Sequence, residues 1–263
     1  MAEEYERVRS RYPAALVDKA CAVAGLEPGD AVVEIGCGTG KLTRELAGRG
    51  LVVDAVEPDA ELAAVARRIV PEPTVRFHIG TFEDVELPRG AYRAVFAATS
   101  FHWVDPAVGW SKVASLLEPN GVFALLSHGG GMRGALDEDL VRVWREFSTR
   151  PWSREPVDDE TLWAGAEERK GNVSELWSWL AAHDLTVPEA AELFSEVKLT
   201  KEPMERAMPL QDYLALIRTT NNYLHLAPEQ QQGLERELAG VIGRHGGTYP
   251  AHGYATLVTA RRV

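Results

Sequence analysis

The sequence predicts a doubly wound α/β fold: a mainly parallel sheet with helices on both faces and an α-helical insertion after its fifth strand. Three observations predict it. Val32-Val33-Glu34-Ile35 feeds into Gly36-Cys37-Gly38-Thr39-Gly40, and Lys41 to Ala47 continues with helical spacing, so strand, tight turn and helix start follow one another. Up to about residue 128 short apolar runs alternate with helical stretches, the pattern of parallel strands joined by right-handed crossovers. From about Gly129 to Ala190 the chain turns polar, helical and rich in tryptophan.

Taken in order, Tyr5, Arg9 and Tyr12 precede a helix from about Pro13 to Ala24, with proline suited to its first turn. Gly25 to Asp30 is turn chemistry, and the glycine-turn strand follows. Leu51 to Glu57 is the second strand. Pro58-Asp59 ends it and opens a helix striped by Leu62, Val65, Ala66 and Ile69, which Pro71 and Pro73 break. Val75 to Ile79 is a third strand and Tyr92 to Ala98 a fourth, apolar as a central parallel strand requires. Asp105-Pro106 reads as a cap and first helical turn, with the helix running to Leu117. Val122 to Leu126 is the fifth strand. Beyond the insertion, Phe194 to Leu199 is a sixth, helices cover Asp212 to Arg218 and Glu229 to Arg244, and Gly253 to Ala260 is the last strand.

The organisation expected is thus a cofactor-binding core over 1–128, a helical insertion over 129–190 and a return to the core sheet over 191–263. The insertion holds Trp144, Trp152, Trp163, Trp177 and Trp179. These either pack within it or line an apolar pocket, and the chain leaves the fifth strand at the edge where ligands collect, which makes the insertion a candidate substrate cap. Gly129-Gly130-Gly131 at its base reads as a hinge.

A formal net charge of −11 with no basic stripe argues against nucleic acid or anionic lipid as partner. The acidic start Met1-Ala2-Glu3-Glu4-Tyr5 is no signal peptide, and no apolar run reaches the roughly 20 residues that span a bilayer, so a cytoplasmic place is the default. Two cysteines, Cys21 and Cys37, make no disulfide framework, and no ligand spacing suggests a metal. Oligomeric state is left open between monomer and homodimer.

The turn itself carries the chemistry. Its glycines admit backbone angles closed to other residues and let a flat ligand lie close, while the following helix offers unpaired N–H groups. A dinucleotide fingerprint would place the third glycine one residue later, where Lys41 stands. Glu34 at the mouth of the turn would repel a pyrophosphate and suits an ammonium or sulfonium, as in S-adenosylmethionine. The alternatives are an NAD(P)-dependent oxidoreductase and a non-catalytic protein that binds S-adenosylmethionine.

Glu34 to Gly40, Val56-Glu57-Pro58-Asp59, Gly80 to Asp84, Ser100 to Asp105, Leu117 to Gly121 and Ala255 to Arg262 together resemble the class I S-adenosylmethionine-dependent methyltransferases, in the small-molecule branch often called methyltransferase type 11. The resemblance implies a seven-stranded Rossmann-like sheet with its last strand antiparallel beside the sixth. It implies methyl transfer to O, N or C of a small molecule such as a secondary metabolite, leaving S-adenosyl-L-homocysteine. The cofactor-lining positions it implies are Tyr5, Tyr12, Glu34, Gly36, Cys37, Gly38 and Gly40, then Glu57 and Pro58, with Glu57 on the ribose hydroxyls. Thr81, Phe82 and Glu83, then Thr99, Ser100 and Phe101, complete the set; Thr81 stands where the family often has an acid for adenine. His102, after the fourth strand, and His128, after the fifth, are the candidate catalytic residues, since imidazole accepts protons near neutral pH.

Overall fold

A computed structural model describes residues 2–70, 73–147 and 155–263. Helix α1 (Ala2–Val8) and α2 (Ala14–Ala24) lead into β1 (Ala31–Ile35), α3 (Lys41–Ala47), β2 (Val52–Glu57), α4 (Ala60–Ile69), β3 (Val75–Ile79) and β4 (Tyr92–Ala98). Then come α5 (Pro106–Leu116), β5 (Leu117–Gly129), α6 (Ala135–Phe147), α7 (Asp159–Glu168), α8 (Val173–Ala181) and α9 (Ala190–Leu193). Strand β6 (Phe194–Pro209), α10 (Leu210–Arg218), α11 (Asn221–Leu224), α12 (Pro228–Arg244) and β7 (Thr248–Arg262) follow. Local signals explain several starts. Asp59 accepts the N–H groups of Glu61 and Leu62 at the head of α4, and Asp105 accepts that of Ala107 beside the first-turn Pro106 of α5.

The seven strands form one sheet in the order β3-β2-β1-β4-β5-β7-β6. The pairs from β3 to β5 are parallel, and β7 is inserted antiparallel between β5 and β6. This is the Rossmann-like arrangement expected, with the order reversing at β1/β4, so the carboxyl ends of these strands border the crevice where such folds hold ligands. On one face Val33, Ile35, Val95, Phe123 and Leu125 meet Trp110 of α5 and Trp177 of α8. On the other Val32, Val53, Phe96 and Leu126 meet Leu16 of α2 and Leu42 and Leu46 of α3.

The stretch 129–190 does not behave as one inserted body. Helix α6 joins α10 and α12 in a separate apolar cluster through Leu140, Val143, Tyr213, Leu234 and Leu238. Helix α8 and the chain up to α9 instead complete the core around Trp110, whose indole N–H donates to the Leu185 carbonyl at 3.1 Å. The tryptophans divide accordingly. Trp177 is fully buried, Trp179 lies against Gly165, Trp163 stacks edge-on to Tyr254, and Trp144 belongs to the α6 cluster. Trp152 lies outside the described residues, as does Pro71.

The glycine run at its base is not a free hinge. A Cβ on Gly131 would stand 2.1 Å from the Asp159 backbone nitrogen, and one on Gly130 would stand 3.0 Å from the Gly253 Cα. The Gly131 N–H also donates to Asp159 Oδ1 at 2.7 Å. These glycines are present because backbones cross here without room for side chains. Overpacking costs roughly 1–3 kcal/mol where neighbours can move and more where they are backbone. Gly131→Ala is therefore expected to lower the melting temperature clearly; an unchanged melting curve would show that the crossing is loose.

Candidate cofactor and acceptor site

The site begins where β1 ends. Gly36, Gly38 and Gly40 have φ of +64°, +56° and +84°, all in the left-handed region that glycine alone adopts without strain. The turn is pinned by Cys37 N–H to the Val56 carbonyl (3.0 Å) and Gly40 N–H to the Cys37 carbonyl (2.9 Å), then runs into α3. Gly36 is also sterically required, since its Cβ would stand 2.5 Å from that of Ser100.

Glu57 closes the turn from the end of β2. Its Oε2 accepts the Gly38 N–H at 2.7 Å and its Oε1 the Asp59 N–H at 3.0 Å. Burial raises its pKa, with these two N–H donors opposing. Each oxygen retains a further acceptor site, so the carboxylate can still receive two hydroxyls. Glu57→Ala is expected to weaken cofactor binding by roughly 1.5–3 kcal/mol, the worth of hydrogen bonds to a charged group. Calorimetry checks it, and an unchanged dissociation constant would mean that Glu57 serves only the turn.

Glu34 departs from the expectation of an open charge at the mouth. It is buried, and its Oε2 accepts the Thr43 hydroxyl of α3 at 2.6 Å. Burial, with the Glu57 charge adding, pushes its carboxyl up to about 8 against the Thr43 hydrogen bond. It therefore holds a proton at neutral pH and ties turn to helix. In this state it carries no charge to repel a pyrophosphate.

The remaining positions divide. Tyr12 shares a hydrogen bond with the Thr99 hydroxyl, and Thr99 itself has φ of +53° as the chain leaves β4. Ser100 donates its hydroxyl to the Ile35 carbonyl, fastening that exit to the turn. Pro58 is exposed and Cys37 buried, its thiol pushed well up by burial. Tyr5 stands on α1, with its side chain outside the described residues. Phe101 and Phe82 turn their rings into the core. Phe101 is 1 % exposed between Trp110 and Phe123, and Phe82 lies 2 % exposed in the same core. Thr81 bonds Asp84 within its own turn, and Glu83 accepts the Asp105 N–H at the head of α5.

The two histidines have different ring neighbours. His102 leans on His183 beyond α8, with ring centroids 4.8 Å apart. Its pKa is driven down to about 4 by burial, with the His183 and Arg9 charges adding. His128 is stacked on Tyr12 at 4.4 Å and 14°, and its Nε2 is buried with no hydrogen-bond partner. Burial likewise lowers it to about 4, opposed by a hydrogen bond with the Arg11 backbone. Both rings are neutral at pH 7.

Sequence reasoning missed the cover over the turn. Glu6 of α1 accepts the Thr39 hydroxyl at 2.5 Å, and Lys41 Nζ donates to its carbonyl at 2.5 Å. It also missed a cavity of about 450 Å³ beyond the end of β5, lined by His128, Trp144 of α6, Tyr213 of α10 and the strand pair β6–β7. Among the described residues, the cavity touches the insertion at the loop after β5, at α6 and at Pro156, and no residue of α7 or α8 lines it.

This constellation, a glycine turn after β1 and an acid at the end of β2 on a sheet with an antiparallel β7, defines a class I Rossmann-like methyltransferase fold. The family described as Methyltransferase domain matches residues 32–121. Over that span the chain is similar to the class I S-adenosylmethionine-dependent methyltransferases. An uncharacterized methyltransferase of Mycobacterium tuberculosis is 40% identical over 122 residues, covering 46% of this chain and 48% of that protein. The chain thus spans about half the length of the curated relatives it matches. Among solved structures, "a Putative Type II Methyltransferase from Anaeromyxobacter dehalogenans" superposes with a TM-score of 0.60 at 22% identity, over 97% of this chain and 96% of that one. A Haemonchus contortus phosphoethanolamine N-methyltransferase 2 in complex with S-adenosylhomocysteine gives 0.53 at 13% identity, over 99% and 56%.

Proposed function

We propose that this chain transfers a methyl group from S-adenosyl-L-methionine to O, N or C of a small-molecule acceptor. The observation that carries the reading is the Glu57 carboxylate, buried at the end of β2 and held against the left-handed glycine turn by the Gly38 N–H. Its donor set fits the cofactor: the turn admits the methionine part and Glu57 receives the two ribose hydroxyls. Glu34, protonated in its present surroundings, is placed to lose its proton when an ammonium comes near. When bound, the cofactor supplies an activated sulfonium methyl, so alignment of the acceptor does most of the work.

A small acceptor, rather than a nucleic acid, is supported by the cavity of about 450 Å³ beside the Tyr12–His128 stack and by the net charge of −11. No described helix is long and apolar enough to cross a membrane. His128, which lines the cavity, is the better placed of the two histidines to touch an acceptor; His102 packs against His183 beyond α8.

Calorimetry with S-adenosylhomocysteine, and separately with a nicotinamide dinucleotide, tests the cofactor. Heat with the first and none with the second is expected, and the reverse would move the protein to the oxidoreductases. Mass spectrometry of a metabolite extract incubated with enzyme and S-adenosylmethionine then seeks a gain of one methylene. Cofactor binding with no such product from any extract would favour a non-catalytic binding protein.

A further inference from the structure

The cavity holds a pair of residues that the site as described leaves unused. His252 of β7 points Nε2 at Asp137 Oδ2, 2.9 Å away on α6. Asp137 is buried, and the same oxygen accepts the Arg133 N–H at 2.6 Å, so the carboxylate is fixed. A carboxylate held at Nε2 selects the tautomer with hydrogen on that nitrogen. Nδ1 is then the bare acceptor, on a ring that lines the cavity. The walls beside it are aromatic and thioether: Trp144, Tyr213, Tyr249, Met204 and Met208.

We propose that this cavity takes a planar hydroxylated aromatic, a phenol, and that the Asp137–His252 pair receives its proton. The proposal rests on the methyl-transfer reading above. Aromatic and methionine walls suit a flat ring, which they grip by offset stacking and sulfur–ring contact. The proton acceptor decides the functional group, because a phenol is a poor nucleophile until its O–H bond weakens, whereas a tertiary amine or a thioether has no proton to give. The step balances. The acceptor proton passes to Nδ1 of His252, the oxygen lone pair forms the new bond to the methyl carbon, and sulfur keeps the C–S pair as a neutral thioether. The proton then leaves His252, whose side chain is 17% exposed, for water. The groups around His252 are Asp137 from α6, Tyr213 from α10, Glu205 and Arg206 on β6, and Tyr249 on its own strand, its ring 6.4 Å away.

The test uses the whole chain saturated with S-adenosylhomocysteine and, as probe, 4-nitrophenol, whose phenolate absorbs visible light and whose phenol does not. Below the probe's own pKa, wild-type protein is expected to bind it as phenolate. His252→Gln, which keeps a donor toward Asp137, is expected to bind it as phenol and roughly tenfold more weakly. Asp137→Asn is expected to follow His252→Gln, with S-adenosylhomocysteine affinity unchanged in both. Neutral phenol or no binding in the wild type, or ionisation undiminished in His252→Gln, would overturn the proposal and assign the pair to fastening α6. Failure of S-adenosylhomocysteine itself to bind would instead overturn the transfer reading beneath it.

Discussion

Gly36→Val is expected to abolish measurable binding of S-adenosylhomocysteine in a protein that still folds. Two costs meet at this position. A β-branched residue must take φ of +64°, where a left-handed backbone costs an ordinary residue roughly 1–2 kcal/mol. Its Cβ must also displace that of Ser100, 2.5 Å away, for roughly another 1–3 kcal/mol of overpacking. The turn can escape only by moving away from the exit of β4, and that motion takes Gly38 from Glu57 and Ser100 from the Ile35 carbonyl. A dissociation constant weakened by roughly a hundredfold or more is the outcome for calorimetry. Circular dichroism should report native secondary structure and an earlier melt. A folded variant that bound the nucleotide as well as wild type would remove the turn from the cofactor site.

Glu34→Gln should stabilise the protein, increasingly so as pH rises above about 4.5. The carboxyl titrates at the ordinary 4.5 in the unfolded chain and at about 8 in the folded one, chiefly through burial. Below the lower value both states hold the proton and the substitution is nearly neutral. Between the two values the unfolded chain releases it while the folded one does not, so wild-type stability falls as pH rises. Above about 8 the difference is constant, on the order of 5 kcal/mol at 1.36 kcal/mol per pH unit. Glutamine keeps an oxygen for the Thr43 hydroxyl and has no proton to lose. The gap in melting temperature between variant and wild type should open from acid to mildly alkaline pH and then level. A gap independent of pH would mean that Glu34 is charged throughout.

The first five strands were legible because each is short, apolar and bounded by turn residues, and the observed limits differ by a few residues at most ends. Between β3 and β4 residues 80–91 cross without a helix. The exception in kind is β6. Its reading stopped at Leu199, whereas the strand runs to Pro209. That extension is mostly exposed, carries Pro203 and Pro209, and owes its form to pairing with β7, a partner the local sequence does not reveal. The site follows the same rule. The left-handed glycine turn and its contact with Glu57 follow from local spacing; Asp137 and His252 are 115 residues apart, and nothing in either neighbourhood announces the other. That Phe82 and Phe101 turn their rings into the core could not be read locally, because an aromatic at a strand exit looks the same in sequence whichever way it faces.

The placement of β7 governs how the molecule can assemble. Ser127 of β5 and Thr256 of β7 share a hydrogen bond across 129 residues of chain, and β6 reaches the rest of the sheet only through β7. A growing chain completes β1 to β5 long before the strand that covers the edge of β5 exists. Loop closure over that distance must be met before the contacts reward it, so contact order is high and folding correspondingly slow. Until then β5 offers an open apolar edge, the kind that pairs with neighbouring chains. The span 32–121 that matches the family lacks β7 and stops short of Val122 to Gly129, the part of β5 that pairs with it; expressed alone, it should aggregate.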